Sequence, residues 1–360
     1  MTKNKFKREA APPVSLFFIV FVSRLLVGFT ASSAVLGTEY SADIAISIAA
    51  AAVAALCLSC AVIKMLENFL NTDWIEVYDV VIRSLLSLIT LRRLYGLFYL
   101  FSGALSISKF ALFSSAELHQ EASTFLLGAF MIAACTYAAS LGFEAISRFS
   151  ALVFVLTVIG VFGIAAASAN KFESINLFPF MQNDSAAVLK NAAYSLCSTS
   201  EIPLLFALRP RVNGKAGKPF CFAIVLSCLL SLLIAVVACG VLGNMASVSA
   251  YPVFELSQLA RLGTGERPEA VFTALWIFAV FLKISVFLYC AALCFGKTQN
   301  RKKCVACGLA MLGATALILY TRLYSAANGL LVYIPFAVFG AFLPAVYALT
   351  HKRGNRFERR

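Results

Sequence analysis

Apolar runs of about 20 residues recur along the whole chain, separated by short polar connections, and a run of that length covers the hydrocarbon core of a bilayer as a helix. In lipid every backbone N–H and C=O needs an internal partner, so only helices or a closed barrel can span it. Barrel strands alternate apolar and polar residues, whereas these runs are continuous, so the chain reads as an all-α polytopic membrane protein. Ten spans are expected, near 14–36, 42–66, 92–116, 122–141, 149–169, 187–208, 219–242, 269–296, 303–320 and 328–350. Composition agrees: 61% of residues are hydrophobic and 13% are charged, about half the charged fraction of a soluble domain.

The net charge of +13 does not point to nucleic acid, because the basic residues sit in short clusters between apolar runs. With the N-terminus inside, 22 of the 30 lysines and arginines fall on the inner side. They include Lys3, Lys5, Lys7, Arg8, Arg209, Arg211, Lys215 and Lys218, and the tail from Lys352 to Arg360. Five fall outside: Lys171, Lys190, Arg261, Arg267 and Arg322. The excess places both termini in the cytoplasm and makes the number of spans even. The basic N-terminus resembles a signal peptide, but its apolar stretch is too long and is broken by Arg24, so an uncleaved first span is expected.

Eleven cysteines lie mostly within the spans, where thiols behave as small apolar groups. Cys57/Cys60 and Cys304/Cys307 have the spacing of zinc-binding pairs. One pair lies inside an apolar helix with no polar second shell, so no metal is assigned. Two connections are long. Residues 67–91 read as a cytoplasmic amphipathic segment or a plain surface loop. In the external connection 243–268, Val253, Leu256, Leu259 and Ala260 recur at helical spacing, as in an interfacial helix. Pro268 and Glu269 suit the opening turn of the eighth span.

The ten spans divide into five and five, and the odd number per half gives the halves opposite orientation. Spans 1 and 6 both carry small polar residues in mid-run. Span 1 reads VSRLLVGFTASSAVLG and span 6 reads YSLCSTSEIPLL. Interrupted helices at matching positions of two halves mark the binding site of an inverted-repeat transporter fold. The chain is accordingly divided into a cytoplasmic tail at 1–13, a first repeat at 14–169, an external loop at 170–186, a second repeat at 187–350 and a basic tail at 351–360.

Four ionisable side chains fall within spans: Arg24, Lys109, Glu201 and Lys283. Each costs about 2.5–3.5 kcal/mol at a helix centre and calls for a partner, water or a function. Pro203 lacks an N–H and disrupts the bond to Thr199. A break near Ser198–Pro203 frees donors that hold a carboxylate and carbonyls that hold a cation. The bland alternative is a proline kink with the hydroxyls bonded back to their own helix. Arg24 and Glu201, both mid-span, can neutralise each other if their helices are neighbours. Lys283 is too deep to reach water and must face protein. Ser285 and Tyr289 lie on nearly the opposite face of that helix, so Ser285 and Tyr289 are expected in the cavity and Lys283 in a packing contact. Lys109, nearer an outer end, is expected to snorkel. No phosphate loop, nucleophile elbow or zinc-protease motif is present, so no enzyme and no cofactor are expected.

Two segments carry a family resemblance. YPVFELSQLARLGTGERPEAVFTALWIFAVFLKISVFLYCAA (251–292) and FPFMQNDSAAVLKNAAYSLCSTSEIPLLFALRP (178–210) resemble the spore germination protein B-subunit family. That family lies within the amino acid/polyamine/organocation transporter superfamily. The resemblance implies a LeuT-like five-plus-five fold with discontinuous helices 1 and 6. It also implies a germinant-sensing subunit in the spore inner membrane that works beside a membrane A subunit and a lipoprotein C subunit. The implied ligand is an amino acid or other small nutrient, held at midplane by Gly28, Thr30, Tyr99, Ser200, Glu201, Ser285 and Tyr289. Span 1 departs from the family pattern: it lacks the proline that usually follows the small residues, and it carries Arg24. Two other functions compete: a proton-coupled amino-acid transporter using Glu201 or Lys283, and a membrane scaffold that binds no small ligand.

Overall fold

The computed structural model describes residues 11–29, 41–67, 88–118, 121, 123–178, 184–260, 268–296, 300–321 and 330–344. Among these the chain is almost entirely helical, with one isolated bridge, between Ala11 and Val212. The helices are α1 (Pro13–Phe29), α2 (Ile44–Glu67), α3 (Leu88–Phe113), α4 (Thr124–Ser140), α5 (Phe143–Ser168), α6 (Ser185–Thr199), α7 (Glu201–Leu208), α8 (Gly217–Leu242), α9 (Pro252–Leu259), α10 (Pro268–Cys294), α11 (Arg301–Tyr320) and α12 (Leu330–Phe336). Wider π turns extend α3 over Ser114–Leu118 and α12 over Ala337–Phe342.

Among the described residues, six helices are long and apolar enough to cross a membrane: α2, α3, α5, α8, α10 and α11. Three apolar helices are shorter, over Pro13–Phe29, Thr124–Ser140 and Leu330–Phe342. The expected sixth span is split into α6 and α7. Part of the expected first and last spans, and residues 68–87 of the amphipathic connection, lie outside the described residues.

Local chemistry sets several boundaries. Proline opens α1, α9 and α10 at the position where no N–H is required. The Asn300 side chain accepts from the Lys302 N–H at 3.2 Å and caps α11. Gly142, at φ 100°, makes the two-residue turn between α4 and α5, so α5 starts six residues earlier than its apolar run suggests.

The packing carries a twofold exchange. Replace each helix by its counterpart five spans on, with α6 and α7 standing for α1, and many of the contacts map onto contacts, though those of α10 with α1 and α5 do not. Thus α1 packs on α8 and α6 on α2; α1 on α5 and α6 on α12; α4 on α10 and α11 on α3; α3 on α4 and α10 on α11. The pairs α3–α10, α2–α8 and α4–α11 map onto themselves. This is the pairing of a five-plus-five fold. At its centre lies α10, with 83% of its apolar stretch buried, against 33% for α5 and for α11. The outer face of α5 shows Leu152, Val155, Ile159 and Phe162 in a helical stripe, all at least half exposed, as a lipid-facing surface requires. In α9, Val253 and Leu256 are fully buried, and the helix docks on α8 and α10. The interfacial helix expected there is therefore a packed element of the bundle: its apolar face found protein instead of lipid.

Candidate functional site

The centre of the molecule is organised by one residue, Ser200. Its φ of 52° and ψ of 24° place it in the left-handed region, the one non-glycine there among the described residues. Helix α6 stops at Thr199 and α7 starts at Glu201. Pro203 is then the third residue of a new helix, where an N–H is not needed. The proline is thus accommodated by restarting the helix ahead of it.

A broken helix leaves carbonyls without partners, and each must be satisfied in lipid. The Ser198, Thr199 and Ser200 hydroxyls donate to the carbonyls of Ser195, Leu196 and Cys197, at 3.3, 2.8 and 3.3 Å. The Ser198 carbonyl accepts from Lys283 Nζ at 3.1 Å. On the α7 side, Tyr99 Oη donates to the Pro203 carbonyl at 2.6 Å. The three hydroxyls of the motif therefore close the helix end, as in the local-bonding alternative, and one freed carbonyl holds an ammonium.

Arg24 of α1 and Glu201 of α7 form a buried, hydrogen-bonded ion pair, 8% and 0% exposed. Glu201 stands in the first turn of α7, where the helix dipole also favours its charge. One charge answers the other across the α1–α7 contact.

On the other side of Ser200 lies a cleft of about 60 Å³. That is room for roughly four or five water-sized centres, or one very small organic molecule. It is walled by α3, α6, α10, α12 and the end of α1. Helix α10 presents Trp276, Val280, Lys283 and Phe287, which recur at one-face spacing. Helix α3 presents Ser102, Ser106 and Lys109 on one face, and Trp276 stacks on Phe110 of α3 at 5.5 Å. Lys109 Nζ donates to Tyr194 Oη at 2.6 Å and lies over that ring, 5.1 Å from its centre. Lys283 Nζ is 5.9 Å from the Phe287 ring centre.

The expected site residues divide. Ser200 lines the cleft. Glu201 adjoins it in sequence but is bound to Arg24. Tyr99 is fully buried and supports α7 through Pro203. Gly28 is a packing position: a methyl group there would come within 3.0 Å of Ser231 Oγ on α8. Thr30 lies outside the described residues. Ser285 and Tyr289 face away. Tyr289 stacks on Phe143 of α5 at 5.8 Å. Ser285 lines a separate apolar cavity of about 250 Å³ with Tyr137, Phe149 and Phe281. Lys283, expected in a packing contact, thus lines the central cleft, where the Ser198 carbonyl supplies the acceptor that a deep lysine needs. Lys109 likewise turns inward to Tyr194 and does not snorkel. Ser102, Ser106 and Trp276 were not foreseen; their helical spacing with Lys109 and Lys283 was the available signal. The cysteine pairs lie apart from this site, on α2 and α11, and Cys60 Sγ is 4.0 Å from Cys221 Sγ of α8.

Comparison with known proteins follows the same lines. No curated protein matches the chain. Among solved structures, a Na+-coupled sialic acid symporter in a substrate-bound outward-open state is similar. Its TM-score is 0.63 at 15% identity, over 95% of this chain and 80% of that one. At that identity the likeness shows a shared fold. Residues 12–328 match the spore germination protein family, and the chain therefore belongs to that family of multi-pass, permease-like membrane proteins.

Proposed function

We propose that the chain is the ligand-sensing membrane subunit of a spore germinant receptor. A small nutrient enters the cleft beside Ser200, and partner subunits read the resulting change in helix arrangement. The observation that carries this is the position of the cleft. It lies against the only left-handed non-glycine residue described and is walled by helices from both halves of the chain. A ligand there touches the hinge between α6 and α7 and the central helix α10 together. It shifts the conformational equilibrium by the difference in its affinity for the two states, and no chemistry or coupling ion is required. The partners are a membrane A subunit and a lipoprotein C subunit. The chain lies in the spore inner membrane with both termini in the cytoplasm, an orientation that the excess of basic residues on one side supports.

The purified protein in proteoliposomes should bind a small nutrient saturably without accumulating it. In spores, germination should require the A and C subunits as well. The shared fold with a symporter favours one competing function, a secondary transporter. Sustained uptake of a labelled nutrient by this chain alone would establish the transporter and remove the sensor.

A further inference from the structure

We infer that the rim between α2 and α8, remote from the central cleft, holds an anionic phospholipid with its phosphate at Lys64 and Lys218. On α2 the exposed residues include Ala50, Val53, Cys57, Ala61 and Lys64. On α8 they are Lys218, Phe222, Val225 and Leu229. Both sets recur at three- and four-residue spacing, so each forms one stripe along its helix. Each stripe is apolar along its length and ends in a lysine. The two helices pack together, and Cys60 Sγ lies 4.0 Å from Cys221 Sγ. At the opposite end, Asp43 before α2 is within electrostatic range of Cys239 near the end of α8. The helices therefore run antiparallel. Lys64, one turn after Cys60, and Lys218, one turn before Cys221, then stand at the same end of the pair.

Lys215 is also exposed, in the loop just before α8. Among the described residues, none of these three lysines takes part in an ion pair. The exposed cation of α5 is built differently: Arg148 donates to Glu144 at 2.6 Å, one turn away, and is answered within its own helix. Any anion could satisfy the lysines of the rim. A molecule that meets the lysines and both stripes together has an anionic head and apolar chains. From Lys218 to Leu229 the α8 stripe extends about 16 Å, close to the depth of one leaflet. A membrane phospholipid has that length and that division of polarity. Its chains lie along Phe222, Val225 and Val53, and its phosphate accepts from the two ammonium groups.

The purified full chain, equilibrated with phosphatidylglycerol and phosphatidylcholine of identical acyl chains, can be weighed with its retained lipids by native mass spectrometry. Phosphatidylglycerol should be retained over phosphatidylcholine by about tenfold or more, and the preference should shrink as salt rises. Lys64→Gln/Lys218→Gln should reduce the preference to about twofold or less. Arg148→Gln should leave it unchanged, because Glu144 already answers that cation. All three side chains are exposed, and thermal melting verifies that each variant is folded. Equal retention of the two lipids, or a preference that survives the double substitution, overturns the inference. So does binding of glycerol phosphate or of a polyglutamate peptide at Lys64 and Lys218 in place of the lipid. The first would assign the rim to a free phosphate and the second to an acidic protein.

Discussion

Two groups of buried charge flank Ser200, and they are built on opposite plans. On the α7 side, Arg24 and Glu201 meet as a matched pair with no cavity between them. On the α6 side, Lys109 and Lys283 share a cleft, each braced by a neutral oxygen, the Tyr194 hydroxyl and the Ser198 carbonyl. In a buried ion pair each charge answers the other. Such a pair fixes which helices pack together and adds little net stability over an apolar equivalent. The two lysines instead border a cleft of about 60 Å³, together with serine hydroxyls and aromatic rings. We propose a structural role for the pair and recognition for the cleft, a contrast that can be attacked from either side.

The largest effect is expected on the paired side. Arg24→Met leaves the Glu201 carboxylate buried without its counter-charge, which should cost about 3–5 kcal/mol. The Arg24→Met/Glu201→Leu double variant should recover most of that loss. Unfolding of the purified protein, followed by thermal melting, gives both values. If the double variant melts as low as the single one, the pair is not the self-contained unit described here.

The next effect separates the two faces of α10. Lys283→Met should weaken binding of the nutrient found in the proteoliposome assay tenfold or more, about 1.4 kcal/mol. Ser285→Ala, only two residues away but on the apolar cavity, should leave affinity within about twofold, a few tenths of a kcal/mol. The reverse ranking would restore the facing expected from sequence and would move the site to the other side of the helix. A smaller loss is expected at Tyr99→Phe, which removes the hydrogen bond to the Pro203 carbonyl. Melting should report about 1 kcal/mol of destabilisation, with ligand affinity little changed, because the Tyr99 hydroxyl supports α7 and not the cleft.

Much of this was legible in the residues. The six long helices described here followed from run length, because lipid forces a helix on each apolar run. The break was legible in Ser198–Pro203, and Arg24 and Glu201 could be matched because both lay mid-span in segments expected to be neighbours. The facing of α10 was not legible. Both of its faces carry a polar group, Lys283 on one and Ser285 with Tyr289 on the other, and a single helix offers no reason to prefer either. The choice depended on a backbone carbonyl, that of Ser198, whose availability arises from the exact residue at which another helix stops. Side-chain patterns do not record that. The same limit applies to Ser102 and Ser106, polar residues in an apolar helix that become wall residues only when α10 and α6 are set opposite them. It applies as well to α9, whose apolar stripe fits a lipid interface and a protein surface equally.

The finest test falls on Ser200 itself, the point that divides the two charge groups. A non-glycine residue held at φ 52° carries a steric penalty of about 1–2 kcal/mol in the left-handed region. The Ser200 hydroxyl offsets part of it through a long bond, 3.3 Å, to the Cys197 carbonyl. Ser200→Gly removes both the penalty and the bond, and adds chain entropy in the unfolded state. The net expected outcome is a gain of about 0.5 kcal/mol, within the usual range for relieving such a position. Ser200→Ala keeps the penalty and loses the bond, so it should lose about 0.5–1 kcal/mol. Thermal melting should therefore rank glycine above serine and serine above alanine. Alanine melting above glycine would mean that residue 200 leaves the left-handed region in solution. The helix break, the Ser198 carbonyl that it releases to Lys283 and the inward turn of Lys283 would then have to be placed elsewhere.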